Sequence, residues 1–557
     1  MASVLQHPLI LKKEPIVRKS ANFPPSYWGD FFASLVPSNV DSSVEERVEE
    51  LKTEVKKMIS HANGAAQKLD VIDAVQRLGL AYHFEEEVDE ALKQINDACI
   101  YDDDLHSFAL RFRLLRQQGY NTPSDGFKKF TNEKMKFKES LSSDGRGLLS
   151  LYEAAHLGLP GEEILDEAIA FAGQHLKLIK DQVSESLSMD IERALDIPLR
   201  RGMARLQARH YIDVYERDDQ RCDALLQLAK LDFNRVQCLL QKELKAISVW
   251  WKDLGLIKEL NFARDRLVEC YFWILGVCHE THQSRSRSVM AKVLVLLSVM
   301  DDIYDVHGIM DELIPFNDVI QREDMVHTET MKHLPEYMQI FVHALADSYI
   351  EIEKELSLDG NSYRMDYLKD MVCFLIKLMA RSYLQEAIWG GDKYIPTFKE
   401  HLQLSLLSCG YPALHCVALV GATKEEHVTK EALDWVISVP RITHSAALIC
   451  RLMDDIYDLN QDKDGQVISC TKCYILENGL TQDEANLEFQ RMIEEAWKTI
   501  NQELLLTTLC FPVRVISPAL DLACMMEVIY KKADTYNKPD GEMKDRITML
   551  LLNPIPV

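Results

Sequence analysis

Apolar residues recur every three to four positions along most of the chain, and strand-like alternation is almost absent. Asp213–Lys245 and Ile493–Thr508 carry this period most clearly, which predicts amphipathic helices with one face packed on a core. Val289–Met300 and Ser445–Met453 are more uniformly apolar, as expected of helices inside a bundle. No clean hairpin signal lies between apolar runs. The chain therefore reads as all-α, with breaks expected at the polar segment Leu141–Gly147, the Gly158–Gly161 turn and the Gly390–Pro396 loop. A charged run within Tyr215–Asp223 precedes a new amphipathic stretch and marks a domain border.

Length sharpens this picture. A chain of 557 residues exceeds what one ordinary core accommodates, so two large domains are expected. The Val289–Met300 run is broken by Lys292 and is shorter than the ~18 residues a bilayer span needs, so no membrane insertion is expected. A net charge of −24 repels phosphate backbones and argues against nucleic-acid partners. A phosphorylated small substrate would then need local cations. Thirteen cysteines without framework spacing suit a reducing compartment. Cys470 and Cys473 form a CxxC with no second pair or histidines at finger spacing, so a zinc site is not expected. The first residues include Glu14 and show no secretory or organellar leader, which predicts a cytoplasmic protein.

The candidate chemistry lies in two copies of one pentapeptide. Asp301-Asp302-Ile303-Tyr304-Asp305 follows the first apolar helix, and Asp454-Asp455-Ile456-Tyr457-Asp458 follows the second. At 3.6 residues per turn Asp301 and Asp305 share a face, with Asp302 about 100° around. Acids at a helix C-terminus oppose the helix dipole. Two like charges ~4 Å apart cost about 4 kcal/mol at an effective dielectric of ~20. A cation should sit there, and carboxylate-plus-phosphate ligation suits Mg²⁺. One cluster alone also reads as a solvated acidic helix end; the repeat makes that reading poor. In the second cluster Asp454, Asp458 and Asp462 form an i, i+4, i+8 stripe on a continuing helix. The stretch from Asn460 to Gly465 resembles half a calcium loop, but its twelfth position is Thr471, so an EF-hand fails. Arg264 and Arg266 precede Asp301 by 37 and 35 residues, and Arg451 lies three residues before Asp454. Each alone reads as a surface ion pair; beside the acids they become candidate diphosphate donors.

Several longer segments carry a family resemblance: Arg18 through Trp28 (RKSANFPPSYW), ALRFRLLRQQGY from Ala109, LLSLYEAAHLG from Leu148, LDFNRVQ from Leu231 and KELKAISVWW from Lys242. The Arg-Asp-Arg triplet, DDIYDVHG, LQEAIW with YIPTF, SCGYPAL from Ser408 and RLMDDIYD continue it. In these the chain resembles plant terpene synthases of the cytosolic sesquiterpene type along essentially its full length.

The resemblance implies an N-terminal α-barrel (1–220) without its own chemistry, whose leading segment caps the active site. It implies a C-terminal class I catalytic bundle (221–557). Asp301, Asp302 and Asp305 match the family's first metal motif; Asp454, Asp458 and Asp462 match the second. That second motif departs twice: Asp458 stands for a hydroxyl residue and Asp462 for Glu. An Arg normally before Gly465 is also missing. The implied cofactor is Mg²⁺, as three ions with diphosphate, with Mn²⁺ as a substitute. The implied substrate is farnesyl diphosphate and the implied state a monomer. Trp273, otherwise a plain core residue, matches the aromatic pocket wall. Ser408, Cys409, Gly410 and Tyr411 interrupt a helix, where freed carbonyls could face a cation. Cys450 is a candidate pocket lining. Asp534 and Tyr536 match a C-terminal loop, although Tyr536 reads as exposed from sequence alone. Asp102-Asp103-Asp104 could pass for a protonating acid but reads as helix-capping charge. A chain-elongating prenyl diphosphate synthase and an inactive helical relative remain alternatives. The product skeleton is open, with a lean to cadinane type from the Asp-rich second motif.

Overall fold

The structure is a computed structural model that describes residues 18, 23–37, 41–62, 64–98, 104–322, 324–327, 329–357, 362–422, 428–458, 469–508 and 510–557, without the side chains of 357, 362–374, 457 and 458. The all-α expectation holds: among the described residues the sole β pairing is an isolated bridge between Thr131 and Phe137.

The expected breaks fall where Gly, Pro and polar residues interrupt the helical period. One helix ends at Glu216 and the next, Asp223–Leu254, starts beyond the Tyr215–Asp223 run. The helix Gly145–Ala155 ends before Gly158, and Glu163–Ile179 begins after Gly161. Ser362–Asp392 ends in the Gly390–Pro396 loop, and Thr397 caps the start of Phe398–Ser408 through a reciprocal capping box with Glu400. Asp104 accepts the Ser107 amide at 2.8 Å, so the capping reading holds there; Asp102 and Asp103 lie outside the described residues.

Among the described residues two hydrophobic cores form. The smaller lies within Leu105–Leu195, built on Phe108, Phe112, Phe127 and Leu148. The larger runs from Trp28 to Ile555 and joins the first helices to the C-terminal bundle. Residues 1–220 therefore do not close on one core of their own. Their inner helices share the core of the catalytic half; for example, Ser42–His61 packs on Asp223–Leu254.

In the C-terminal half, Leu267–Val277 packs on Ser284–Asp302 and on Val513–Ile529. Arg441–Asp458 packs on Gln482–Thr507 and Val513–Ile529, and Tyr411–Val420 touches Ser284–Asp302, Ser362–Asp392 and Arg441–Asp458. The two apolar helices that lead into the acid clusters thus belong to one bundle. Among the described residues one stretch, Phe398–Val420, is long and apolar enough to cross a membrane. It is broken at Gly410 and is mostly buried against other helices.

Candidate active site

The first acid cluster does not continue as an ordinary α-helix. Ser284–Asp302 passes into one π-helical turn, Ile303–His307, closed by the Gly308 amide on the Ile303 carbonyl at 2.8 Å. Asp302 is 1% exposed and turns inward. It accepts the Arg264 backbone amide at 2.7 Å and faces the same residue's guanidinium at 2.9 Å. Asp301 is more open and takes Arg264 Nη2 at 2.5 Å. Asn537 Oδ1 accepts Arg264 Nη1 at 3.0 Å.

Asp305 has no counter-charge of this kind. Its Oδ1 is buried without a hydrogen-bond partner, and burial, with Asp301 and Glu386 nearby, pushes its carboxyl well above the usual range. Glu386, buried on the Ser362–Asp392 helix, accepts the Ser408 hydroxyl at 2.8 Å and is pushed up to about 7 by burial. Asp301, Asp305 and Glu386 thus act on one another electrostatically, with Arg264 paired to Asp301, although among the described residues no three such side chains close on a common point. An orphaned buried carboxylate oxygen is what a hard divalent cation would satisfy, so these residues fit a metal.

The second cluster is organised by Arg451. Its Nε donates to Asp455 Oδ1 at 2.8 Å, and its Nη2 pairs with both Asp454 and Asp455. Asp455, 1% exposed, accepts the Cys470 amide at 2.8 Å and so binds the N-terminus of the helix Cys470–Asn478. Its carboxylate is therefore engaged by Arg451 and by the start of that helix. Arg441–Asp458 ends at Asp458; the Asp458 side chain and all of Asp462 lie outside the described residues. Cys470 and Cys473 are both buried, and Cys470 Sγ contacts His401 Nδ1 at 2.9 Å; among the described residues no three His, Cys, Asp or Glu side chains gather as a metal group.

Two expectations need correction. Arg266 was expected to hold diphosphate, yet it is 0% exposed and its guanidinium donates to the carbonyls of Pro24, Asp265, Tyr536 and Asn537. It ties the leading segment to the C-terminal loop, because a fully buried guanidinium must satisfy its donors where it sits. Tyr536 is buried rather than exposed: its hydroxyl donates to Ser298 Oγ at 2.7 Å and lies 3.4 Å from Cys270 Sγ. The helix break at 408–411 is real, with Gly410 at φ 78° between Phe398–Ser408 and Tyr411–Val420. Of the carbonyls at this break, that of Ser408 is taken up by the Tyr383 hydroxyl at 3.1 Å.

The remaining residues assemble around these. Trp273 meets Tyr536 edge-on at 5.6 Å and Tyr411 at 6.5 Å between ring centroids. Tyr411 is pinned by its hydroxyl on the Leu522 carbonyl at 2.8 Å. Cys409 Sγ donates to the Leu406 carbonyl at 3.3 Å, and the Cys409 and Cys450 thiols are neighbours that perturb each other's titration. Asp534 accepts the amides of Tyr536 at 3.1 Å and Asn537 at 2.9 Å, so it shapes the loop that carries them. The leading segment reaches the same end of the bundle. Arg18 forks onto Glu312 at 2.7 Å and donates to the His307 carbonyl at 3.0 Å, and Phe23 lies over Arg264 at 5.0 Å.

Reading the sequence alone misses Glu386, Ser298, Asn537 and Tyr530, the last buried where Asp454 and Asp534 act on its hydroxyl. Glu386 carried a weak signal, the one acid between Asp370 and Asp392, one turn after Tyr383. The other three are small or neutral side chains with none.

Known proteins share this fold. Residues 27–195 match the terpene synthase N-terminal domain, and residues 252–499 match the terpene synthase family metal binding domain. A (−)-germacrene D synthase of Vitis vinifera is 44% identical over 97% of this chain and 96% of its own length. A limonene synthase solved with 2-fluorolinalyl diphosphate superposes with a TM-score of 0.90 at 32% identity, covering 97% of this chain and 100% of that one. An isoprene synthase of Populus x canescens, solved with three Mg²⁺ ions and dimethylallyl-S-thiolodiphosphate, gives 0.85 at 31% identity over 92% and 98%. With both domains matched in order and relatives alike from end to end, the chain belongs to the terpene synthase family.

Proposed function

We propose that this chain is a sesquiterpene synthase, a carbon–oxygen lyase that ionises farnesyl diphosphate and cyclises the resulting cation to a hydrocarbon or alcohol. The observation that carries the reading is the buried, unpartnered Oδ1 of Asp305, which feels the charges of Asp301 and Glu386 while Arg264 is taken up by Asp301 and Asp302. Asp301 and Asp305, with Asp302 behind them, would hold Mg²⁺ on one side of the substrate; Asp454, Asp458 and Asp462 would hold it on the other. Bound there, three Mg²⁺ ions, or Mn²⁺ in their place, supply Lewis-acid neutralisation of the departing diphosphate.

The protein's own groups do the rest. Arg264 and Arg451, now paired with Asp301–Asp302 and Asp454–Asp455, exchange carboxylates for phosphate oxygens and steady the charge of the leaving group. Trp273, Tyr411 and Tyr536 present aromatic surfaces that fold the allylic chain and stabilise its cation. Ser408, Cys409, Gly410 and Cys450 shape the opposite wall. Asp534 and Arg266 position the loop that carries Tyr536, and Arg18 with Phe23 helps close the mouth against water.

Residues 1–220 contribute this closure and packing rather than chemistry, and the protein works as a cytoplasmic monomer. The test is incubation of purified protein with farnesyl diphosphate and Mg²⁺, with and without isopentenyl diphosphate, followed by diphosphate assay and gas chromatography. Cyclic C15 products without isopentenyl diphosphate support the proposal. Formation of a longer prenyl diphosphate, or no diphosphate release, overturns it.

A further inference from the structure

Away from the acid clusters, a cavity of about 220 Å³ lies where the helices before residue 220 meet the catalytic half. It is lined by Arg77, Arg113, Arg205, Asp232, His279 and Glu280. Most of this charge is spent locally. Arg77 pairs with Asp190 at 2.5 Å, and Arg113 pairs with Asp73. Asp232 accepts from Tyr82 at 2.6 Å, His83 at 3.0 Å and Arg235 at 2.9 Å. Glu280 caps the short turn Thr281–Gln283.

Arg205 is the exception. It is 7% exposed, lies over the Phe233 ring at 4.7 Å, and makes one long hydrogen bond, to the Phe233 carbonyl at 3.5 Å. Its Nε has no partner, and its counter-charge comes from Asp232, which acts on it without forming an ion pair and is already spent on three other donors. A buried guanidinium without a directly paired counter-ion is disfavoured. Two further features on the same wall suit an oxyanion, one calling for negative charge and one for a hydrogen-bond partner. The helix Ala204–Glu216 starts at the cavity with no side-chain cap and no acid in its first turn. His279 Nδ1 is buried there without a partner as well.

We propose that this interdomain cavity is a binding site for a phosphate-class oxyanion, held by Arg205, the start of the Ala204–Glu216 helix and His279. The oxyanion would be inorganic phosphate or diphosphate, since either fits the volume and offers several acceptors to a planar fork. The site does not depend on the cyclase reading, because none of its residues belongs to the acid clusters.

Thermal unfolding in the presence of chelator tests it, with millimolar phosphate or diphosphate against sodium chloride of equal ionic strength. Wild type is compared with Arg205→Met and Ala204→Glu. Ala204 is exposed at the first helical position, where an acid is favourable, so that variant folds and places a carboxylate beside Arg205. Arg205→Met removes an unpaired buried charge and is expected to unfold no lower than wild type without anion. Ligand linkage should raise the wild-type midpoint by several degrees more than chloride does, and this excess should vanish in both variants. The arm that produces the excess names the anion. Equal shifts in all three proteins, which is what general salting-out would give, or no excess with either anion overturns the proposal.

Discussion

Arg264 holds Asp301 through its guanidinium at 2.5 Å and Asp302 through its own backbone amide at 2.7 Å. One residue thus fixes two neighbouring acids by two different groups. The carboxylate of Asp305, one turn on, is left for something else.

Asp305→Asn should therefore separate stability from activity. Removing a buried, unpaired carboxylate should leave the metal-free protein as stable as wild type or more so, while diphosphate release from farnesyl diphosphate falls by about 100-fold or more. Asp301→Ala should lose turnover similarly. Unfolding midpoints and turnover measured side by side check this; full activity in either variant would sink the metal assignment.

The two arginines of the triplet should behave differently. Arg264→Ala should fold and bind substrate but ionise it slowly, a loss in kcat. Arg266→Ala strands carbonyls on both the leading segment and the C-terminal loop. At about 1–3 kcal/mol for each unsatisfied buried group, it should lower stability by on the order of 3 kcal/mol. Denaturant melts of the substrate-free proteins distinguish the two.

Tyr536→Phe removes only the hydroxyl on Ser298 and should cost about 1 kcal/mol with the aromatic wall intact. Tyr536→Ala also opens the face of Trp273 and should shift products toward prematurely quenched alcohols. Gas-chromatographic profiles of both variants test this; identical profiles for Tyr536→Ala and wild type would remove Tyr536 from the wall.

Two buried groups far apart in chemistry set opposite pH trends. His415 is buried between Thr443 Oγ1 at 2.8 Å and the Val515 carbonyl at 2.9 Å, and burial lowers it to about 4. Its ordinary value is about 6.5, so the unfolded chain takes the proton first. The stability it confers is complete above pH 6.5 and is lost as pH falls toward 4, by on the order of 3 kcal/mol. Glu269 is 1% exposed and burial raises it to about 7. Its contribution is complete below about pH 4.5 and is lost as pH rises through 7. His415→Asn should remove a loss of stability on acidification from pH 6.5 toward 4, and Glu269→Gln the opposing loss as pH rises from about 4.5 through 7, as read by thermal melts of each variant from pH 4 to 8.5.

Periodicity, length and breakers were enough for an all-α chain with its helix ends near Glu216, Ala155 and Asp392, because a helix needs an apolar stripe and Gly, Pro or a polar run to stop it. The repeated pentapeptide marked the chemistry, because acids placed after an apolar helix are costly without a cation. What lay beyond reach was direction. Nothing in one dimension says that Asp302 turns inward to Arg264 while Asp305 stays unpaired, or that Arg266 is spent on backbone carbonyls. Residues 264, 301, 386 and 536 meet only after the helices pack, and burial there converts an exposed-looking tyrosine into a wall and an ordinary glutamate into a group titrating near 7. The sequence by itself determined the inventory of charges and helices. Tertiary packing decided which charges are neutralised within the protein and which are left for a ligand, since desolvation exists only once the chain has folded.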